Sequence, residues 1–146
     1  MRTVCRKANI ASALLLLVMS VSTSQVTFAQ QKPEALGQAS AEAWVGLVDS
    51  GKYAESWQEA SSAFKAAVTK EKWEGMLRPV RSPLGKVMSR KLKSATYTKT
   101  LPGVPDGDYV VVQFDTSFEH KQAAVETITP TLDKDRKWRV SGYFIK

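Results

Sequence analysis

Between Pro33 and Gly51 the apolar side chains recur at steps of three and four residues, the period of one face of an amphipathic helix. They are Leu36, Ala39, Ala43, Trp44, Leu47 and Val48. Proline suits the first turn of a helix and glycine suits its C-terminal end. The pattern therefore predicts a helix that begins at Pro33 and stops at Gly51.

Two further helices are predicted before residue 85. The first is short and covers about Tyr53–Ala60, where the aromatic side chains share one face. The second begins near Ser61 or Ser62, because either hydroxyl can cap a helix N-terminus. Proline disfavours helical backbone in the residue before it, so Pro79 and Pro83 are expected to end this helix.

In the second half of the chain the apolar side chains recur with a period of two instead. Tyr109–Phe118 is the clearest strand and Ala123–Leu132 is another. In Trp138–Ile145 one set of residues, Trp138, Val140, Gly142 and Phe144, alternates with a second set, Arg139, Ser141, Tyr143 and Ile145. Pro130 must lie at a sheet edge or near the end of its strand, because proline donates no ladder hydrogen bond. Helices followed by consecutive strands predict an α+β fold, with the N-terminal helices on one face of an antiparallel meander of about four strands.

The N-terminus has the three zones of a secretory signal peptide. Basic residues precede an apolar run, Ile10–Val21, and a tail of small and polar residues ends at Ala29. The run has about 12 residues and a bilayer span needs about 20. We therefore predict a cleaved signal at 1–29 and a single exported domain at 30–146, in the periplasm or the medium, without a membrane span. An uncleaved N-terminal anchor is the alternative.

Cleavage changes what chemistry the mature chain can carry. Its only cysteine, Cys5, leaves with the signal, which excludes disulfides, thiol nucleophiles and cysteine-based zinc sites. Three of the 21 basic residues leave and no acid does, so the formal net charge falls from +7 to +4. That charge is too small for a dedicated nucleic-acid binder, and no nucleic-acid partner is expected.

Conventional catalytic motifs are missing. The single histidine, His120, falls at a predicted hairpin tip, and the chain has no phosphate-binding loop or nucleophile elbow. No metal site and no cofactor are therefore expected. The weak catalytic candidates are Glu126 and Asp115, since a strand carboxylate that faces an apolar cavity has a raised pKa. The period of two favours Glu126, and a solvent-facing acid is the alternative for both.

Basic residues are concentrated where acids are absent, between Glu74 and Asp106. They are Arg78, Arg81, Lys86, Arg90, Lys91, Lys93 and Lys99. On a strand, Lys91, Lys93 and Lys99 would share one face. That face is either a solvated edge strand, for which lysine is a common device, or a patch that binds an anionic partner and includes Arg90.

Three other side chains are candidates for binding. Arg81, in a loop between two prolines, could hold a carboxylate bidentately, and that carboxylate belongs either to a ligand or to this protein. Trp57 and Trp73 are core residues or line a pocket for an apolar ligand.

A characteristic order of short motifs runs through almost the whole predicted mature chain. It comprises Ala43-Trp44, Asp49-Ser50-Gly51-Lys52-Tyr53, Ser56-Trp57, Trp73, Arg81, Pro83-Leu84-Gly85, the turn Leu101–Gly107 before Tyr109, Trp138 and Gly142-Tyr143-Phe144-Ile145. In this order the chain resembles the family of small exported bacterial proteins catalogued as domain of unknown function 4019. One departure is Asp135-Arg136-Lys137, where the family resemblance implies Asp-Gly.

More loosely, the chain is similar to nuclear-transport-factor-two-like and cystatin-like cones, in which a curved sheet wraps a helix and leaves a pocket. That resemblance implies a curved sheet here. It does not select a function, because such cones include enzymes, ligand binders and dimers without chemistry.

Three hypotheses follow. The leading one is a non-catalytic binding or interaction module of the bacterial cell envelope, with an anionic or apolar small ligand or an envelope component as partner. The second is a small pocket enzyme of the lyase or isomerase type, which uses a buried carboxylate. The third is a structural homodimer without a ligand.

Overall fold

Four helices precede four strands in the computed structural model, which describes residues 31–146. The predicted signal segment 1–29 lies outside the described residues. The helices are α1 (Pro33–Asp49), α2 (Tyr53–Glu59), α3 (Ser62–Ala67) and α4 (Lys70–Arg81), followed by a 3-10 turn at Ser82–Leu84. The strands are β1 (Val87–Thr98), β2 (Tyr109–Phe118), β3 (Lys121–Leu132) and β4 (Trp138–Ile145). The α+β prediction is confirmed.

Helix α1 lies across the sheet and contacts all four strands. It begins at Pro33, and Gly51 follows its end with a left-handed φ of 71°. Its buried face includes Trp44 and Val48. Gly37 permits the close approach to the sheet, because a Cβ at this position would lie 2.4 Å from Cβ of Val110. The predicted helix and its glycine stop are both confirmed.

The predicted third helix is wrong in one respect, since it is two helices. Ser61 caps α3 by accepting a hydrogen bond from the Phe64 amide, as expected. Val68 is then extended, and the Thr69 hydroxyl caps α4 by accepting from the Lys72 amide. A second capping residue inside an apolar pattern therefore starts a new helix.

Pro79 does not end α4 as predicted but lies inside it. Proline removes one backbone donor, which would otherwise bond to the carbonyl of Gly75 four residues earlier. Only two helical residues follow, so little of the helix depends on that bond. As a consequence Arg81 is the last residue of α4 and not a loop residue.

The sheet is an open antiparallel meander in the order β1-β2-β3-β4. Glu119 and His120 form the turn between β2 and β3, so His120 is at a hairpin tip as predicted, and β3 begins at Lys121, two residues before the predicted start. The two edge strands of the sheet are therefore β1 and β4. Pro130 lies in the inner strand β3, two residues before its end, where the β3–β4 register shifts between Thr129 and Pro130. A bulge of this kind accommodates proline within a sheet.

The two faces of the sheet differ. Val110, Val112 and Phe114 of β2 are buried against the helices. The alternating residues Val111 and Asp115 are half-buried and exposed. We call the first side the helix face and the second the open face. The helix face carries the hydrophobic core and, at one end, a group of polar side chains.

A register shift between Leu92 and Ser94 breaks the period of two in β1. Before it, Arg90 pairs with Thr116 of β2, and Lys91 pairs with Asp115. After it, Ala95 pairs with Val112 and Tyr97 with Val110. Ser89 and Lys91 are therefore on the open face before the shift, and Ala95 and Tyr97 are on the helix face after it. None of the helices in residues 31–146 is long and apolar enough to cross a membrane.

Candidate functional site

Glu126 is the centre of a polar cluster buried on the helix face of β3. Its side chain is fully buried, although it is a carboxylate. Oε2 accepts hydrogen bonds from Arg90 Nε at 2.7 Å and from the Thr116 hydroxyl at 2.6 Å. Oε1 accepts from the Tyr143 hydroxyl at 2.6 Å, and Arg81 Nη1 lies 3.6 Å away. Both carboxylate oxygens are therefore engaged by donors of this protein.

Asp49 brings a second carboxylate to the same cluster from the end of α1. Its Oδ1 accepts from Arg81 Nη2 at 2.7 Å and from Arg90 Nη2 at 3.0 Å. Its Oδ2 accepts from Arg90 Nη1 at 2.6 Å. Arg90 is thus bidentate to Asp49 and at the same time bonded to Glu126. The two acids and two guanidinium groups balance in charge. Glu126 and Arg81 are buried and need this pairing, whereas Arg90 is half-buried and Asp49 lies at the rim in contact with solvent.

Local structure explains how these side chains meet. Arg90 and Thr116 are direct cross-strand partners in β1 and β2. Glu126 of β3 pairs with Phe114, two residues from Thr116 on the same face of β2. Arg81 enters from the end of α4, where its guanidinium carbon lies 4.8 Å from the centre of the Phe118 ring. The cluster therefore joins α1, α4 and all four strands at one end of the domain, and holds the two ends of α1 and α4 against the sheet.

The electrostatics of the cluster keep Glu126 ionised. Burial acts to raise the pKa of Glu126, but hydrogen bonds from Arg90, Thr116 and Tyr143 outweigh it, and the pKa is lowered. Burial and the neighbouring Glu126 charge raise the pKa of Tyr143, so its hydroxyl stays protonated and donates. Burial opposes the charge of Arg90, yet its bonds to Asp49 and Glu126 raise its pKa.

This arrangement stabilises charge and does not provide a reactive acid or base. A general base must reach the proton it abstracts, and its ideal pKa lies near the working pH. Glu126 has neither property, because three hydrogen-bond donors and the Arg81 guanidinium surround it and its pKa is shifted downward. No group of three His, Cys, Asp or Glu side chains within residues 31–146 could hold a metal ion.

Comparison with known families matches residues 40–143 to the model of a protein family of unknown function, DUF4019. That range covers more than half of the 146-residue chain and every residue of the polar cluster. The chain belongs to the DUF4019 family. The family resemblance of the sequence is thereby confirmed. Searches of the curated proteins and of the solved structures found no match.

In this DUF4019 protein the two candidate carboxylates lie on opposite faces. Asp115 is on the open face, where its side chain is 59% exposed and lies 3.2 Å from Lys93 Nζ. Glu126 is buried, as the period of two favoured. The condition for a raised pKa is not met, because Glu126 accepts hydrogen bonds from arginine, threonine and tyrosine, and these lower its pKa.

The binding candidates are separated too. Arg90 points to the helix face and into the polar cluster, whereas Lys91 and Lys93 flank Asp115 on the open face. Lys99 does not share their face, because it follows the register shift and contacts Asp108 beyond the end of β1. Arg81 binds carboxylates of this protein, and its two terminal nitrogens reach different ones, Asp49 and Glu126.

Of the two tryptophan candidates, Trp73 belongs to the core and Trp57 is half-buried against it. Trp73 is buried, and its indole N–H donates to the Ser56 hydroxyl at 3.0 Å. The Trp57 indole N–H donates to the Val68 carbonyl at 2.8 Å. Trp73 also borders a small surface cleft of about 230 Å³ between α4 and β4.

The sequence did not point to Asp49, Thr116 or Tyr143 as partners of Glu126. Asp49 was visible only as part of a turn motif that follows a helix. Thr116 and Tyr143 look like ordinary strand residues, and only the strand register brings them to Glu126. The one sequence signal for this cluster was Glu126 itself, a carboxylate whose neighbours two positions away on its strand are apolar.

Proposed function

We propose that this protein is exported and acts as a non-catalytic binding module of the bacterial cell envelope, with an anionic surface as its partner. The observation that carries the proposal is the placement of Lys91 and Lys93 on the open face of the sheet. They lie beside a shallow cleft of about 420 Å³ that Lys91 and Lys146 line together with Asp115. Three lysines accompany one acid there, so the region attracts anions.

Catalysis by a buried carboxylate is the weaker alternative. It requires an acid that is free to exchange a proton with a substrate. Glu126 accepts three hydrogen bonds and contacts the Arg81 guanidinium, and Asp115 is exposed to water and paired with a lysine. These contacts favour a stabilising role for Glu126 and a place on the solvated surface for Asp115.

The homodimer hypothesis uses the same open face, since a sheet face without covering helices can also pack against a second copy. Native mass spectrometry of the purified protein separates the two uses. A single dimer mass without any added partner supports the dimer, and a monomer mass favours the open face as a binding surface.

Lipid headgroups are the anionic surface to test first. The purified protein is sedimented with vesicles of phosphatidylcholine alone or mixed with phosphatidylglycerol. We expect binding only to the anionic vesicles, and loss of binding when Lys91→Glu and Lys93→Glu are combined. The matched control combines Lys70→Glu and Lys72→Glu, the same charge change at the start of α4. Equal loss in both variants, or no binding to anionic vesicles, contradicts the proposal.

Export is tested separately. We expect the protein recovered from outside the cytoplasm to begin at Gln30, as found by N-terminal sequencing. A chain that retains its first residues and stays in the cytoplasm contradicts export, whatever the vesicle result.

A further inference from the structure

An open cleft of about 630 Å³ lies between the start of α1 and the ends of β1, β3 and β4. Its walls combine apolar and aromatic side chains with both signs of charge. They include Leu36, Tyr97, Lys99, Asp108, Arg136 and Trp138. The cleft is at the far end of β1 from Lys91 and Lys93, so an inference about it goes beyond the function proposed above.

Arg136 has an unusual backbone at this cleft. It is the one non-glycine residue of the described chain with a positive φ, 66°. A side chain with a Cβ is disfavoured in this left-handed conformation, which glycine adopts freely. The hairpin turn itself imposes this conformation, since the Arg136 amide donates to the Asp133 carbonyl at 2.8 Å. An arginine at a position that suits glycine is a reason to look for a function of its side chain.

Arg136 forms no salt bridge within the described structure, although its charge adds to the lowering of the Asp108 pKa that the hydrogen bond from Tyr97 mainly causes. Arg139 pairs with both acids of the same turn, Asp133 at 3.1 Å and Asp135 at 2.8 Å. This leaves the Arg136 guanidinium without an ion-pair partner among residues 31–146. The other acid of the cleft, Asp108, is already engaged by the Tyr97 hydroxyl and by Lys99 Nζ.

Hydrogen-bond donors are therefore in excess at the cleft. The guanidinium of Arg136 offers five N–H groups, and the Lys99 ammonium has donors beyond the one used on Asp108. The indole N–H groups of Trp44, Trp57 and Trp73 each have an internal acceptor. The indole N–H of Trp138, which also lines the cleft, has no acceptor among the described residues.

We propose that this cleft binds a small amphipathic anion, in which a carboxylate or phosphate is attached to a flat apolar group. The oxyanion accepts hydrogen bonds from Arg136 and Lys99, since guanidinium matches the geometry of such oxygens. The apolar group packs on Trp138, Tyr97 and Leu36, as rings and aliphatic side chains do in ligand sites.

The test uses naphthalene probes that share one ring system and differ in charge. Binding of 2-naphthoate, 2-naphthyl phosphate and neutral 2-naphthylmethanol to the purified protein is measured by isothermal titration calorimetry. We expect one or both anions to bind at least about tenfold more tightly than the neutral alcohol. The stronger of the two anions identifies the oxyanion. Equal affinity for the neutral probe, or no binding of either anion, overturns the proposal.

Arg136→Gly gives a signature that a purely structural residue would not give. We expect the melting temperature to rise by about 3 to 5 °C, because glycine relieves the left-handed strain. We expect affinity for the anionic probe to fall at least about tenfold at the same time. Lys134→Gly, at an exposed lysine of the same turn that does not line the cleft, is the control and should leave affinity unchanged. Unchanged affinity in Arg136→Gly, or equal losses in both variants, contradicts the assignment.

Discussion

Arg90 of β1 donates from Nε to Oε2 of Glu126 in β3 at 2.7 Å, across the intervening strand β2. The same guanidinium holds Asp49 through its other two nitrogens. The Arg90 side chain of β1 therefore connects the end of α1 to β3. Breaking this connection leaves buried charge without a partner, which costs far more than the loss of a surface ion pair.

Glu126→Gln tests how strongly the fold depends on that charge. Glutamine keeps the size of the side chain but replaces one oxygen with an NH₂ group, which must face donors on whichever side it lies. Arg81 and Arg90 then share only Asp49. We expect the free energy of unfolding to fall by about 3 kcal/mol, measured by urea denaturation.

Asp115→Asn is the matched control for this change. It removes a carboxylate from the neighbouring strand, but on the open face, where the side chain is 59% exposed. We expect a change within about 0.5 kcal/mol. Similar unfolding free energies for the two variants would mean that the cluster contributes little to stability.

The pKa of Glu126 predicts how stability varies with pH. Its pKa is below the ordinary value of 4.5 in the folded protein, so below about pH 4.5 the unfolded chain binds a proton that the folded chain does not. The stabilisation is complete above that pH and is lost as the pH falls through the folded pKa. We expect the difference in unfolding free energy between the wild type and Glu126→Gln to shrink below pH 4.5. A constant difference between pH 6 and pH 3 would contradict the lowered pKa.

The sequence predicted elements well where one local pattern decides them. The apolar period of α1 and the alternation of β2 and β4 specify their type and, within a residue or two, their bounds. The cap at Thr69 was not predicted because the apolar pattern continues across it. A threonine can cap a helix only where the chain before it is extended, and the extended backbone of Val68 is a feature of the structure.

The polar cluster could be predicted only in part, for a reason that is also physical. The period of two placed Glu126 on the apolar side of β3. Its partners come from the three other strands and from α4, and nothing local fixes their register. The shift after Leu92 shows the limit, because it moves Lys99 off the face of Lys91 without any mark in the sequence.

Two glycines of α1 predict opposite effects of the same substitution. Gly37→Ala places a Cβ 2.4 Å from Cβ of Val110, so helix or strand must move. We expect a loss of about 1 to 3 kcal/mol in unfolding free energy, as for overpacked cores. Gly46→Ala meets no atom within 4 Å, and alanine favours helix, so we expect a gain of about 0.5 to 1 kcal/mol. Both values come from urea denaturation, and a Gly37→Ala variant as stable as the wild type would contradict the close packing.

Adjacent residues of β1 give the sharpest contrast between the two faces. Arg90→Glu brings a third carboxylate against Asp49 and Glu126 and removes the guanidinium that neutralises them, whereas Lys91→Glu makes the same kind of change in solvent. We expect Arg90→Glu to lose about 3 kcal/mol or more, a large fraction of the stability of a domain this size. Lys91→Glu should fold like the wild type.

Thermal unfolding followed by circular dichroism, together with gel filtration, measures both variants. A basic patch that contained Arg90 as well as Lys91 would predict two equally folded proteins. The buried cluster predicts one folded protein and one that is largely unfolded or strongly destabilised. An Arg90→Glu variant with the wild-type melting temperature would therefore place Arg90 on the surface, and the separation of the two faces at this position of β1 would be wrong.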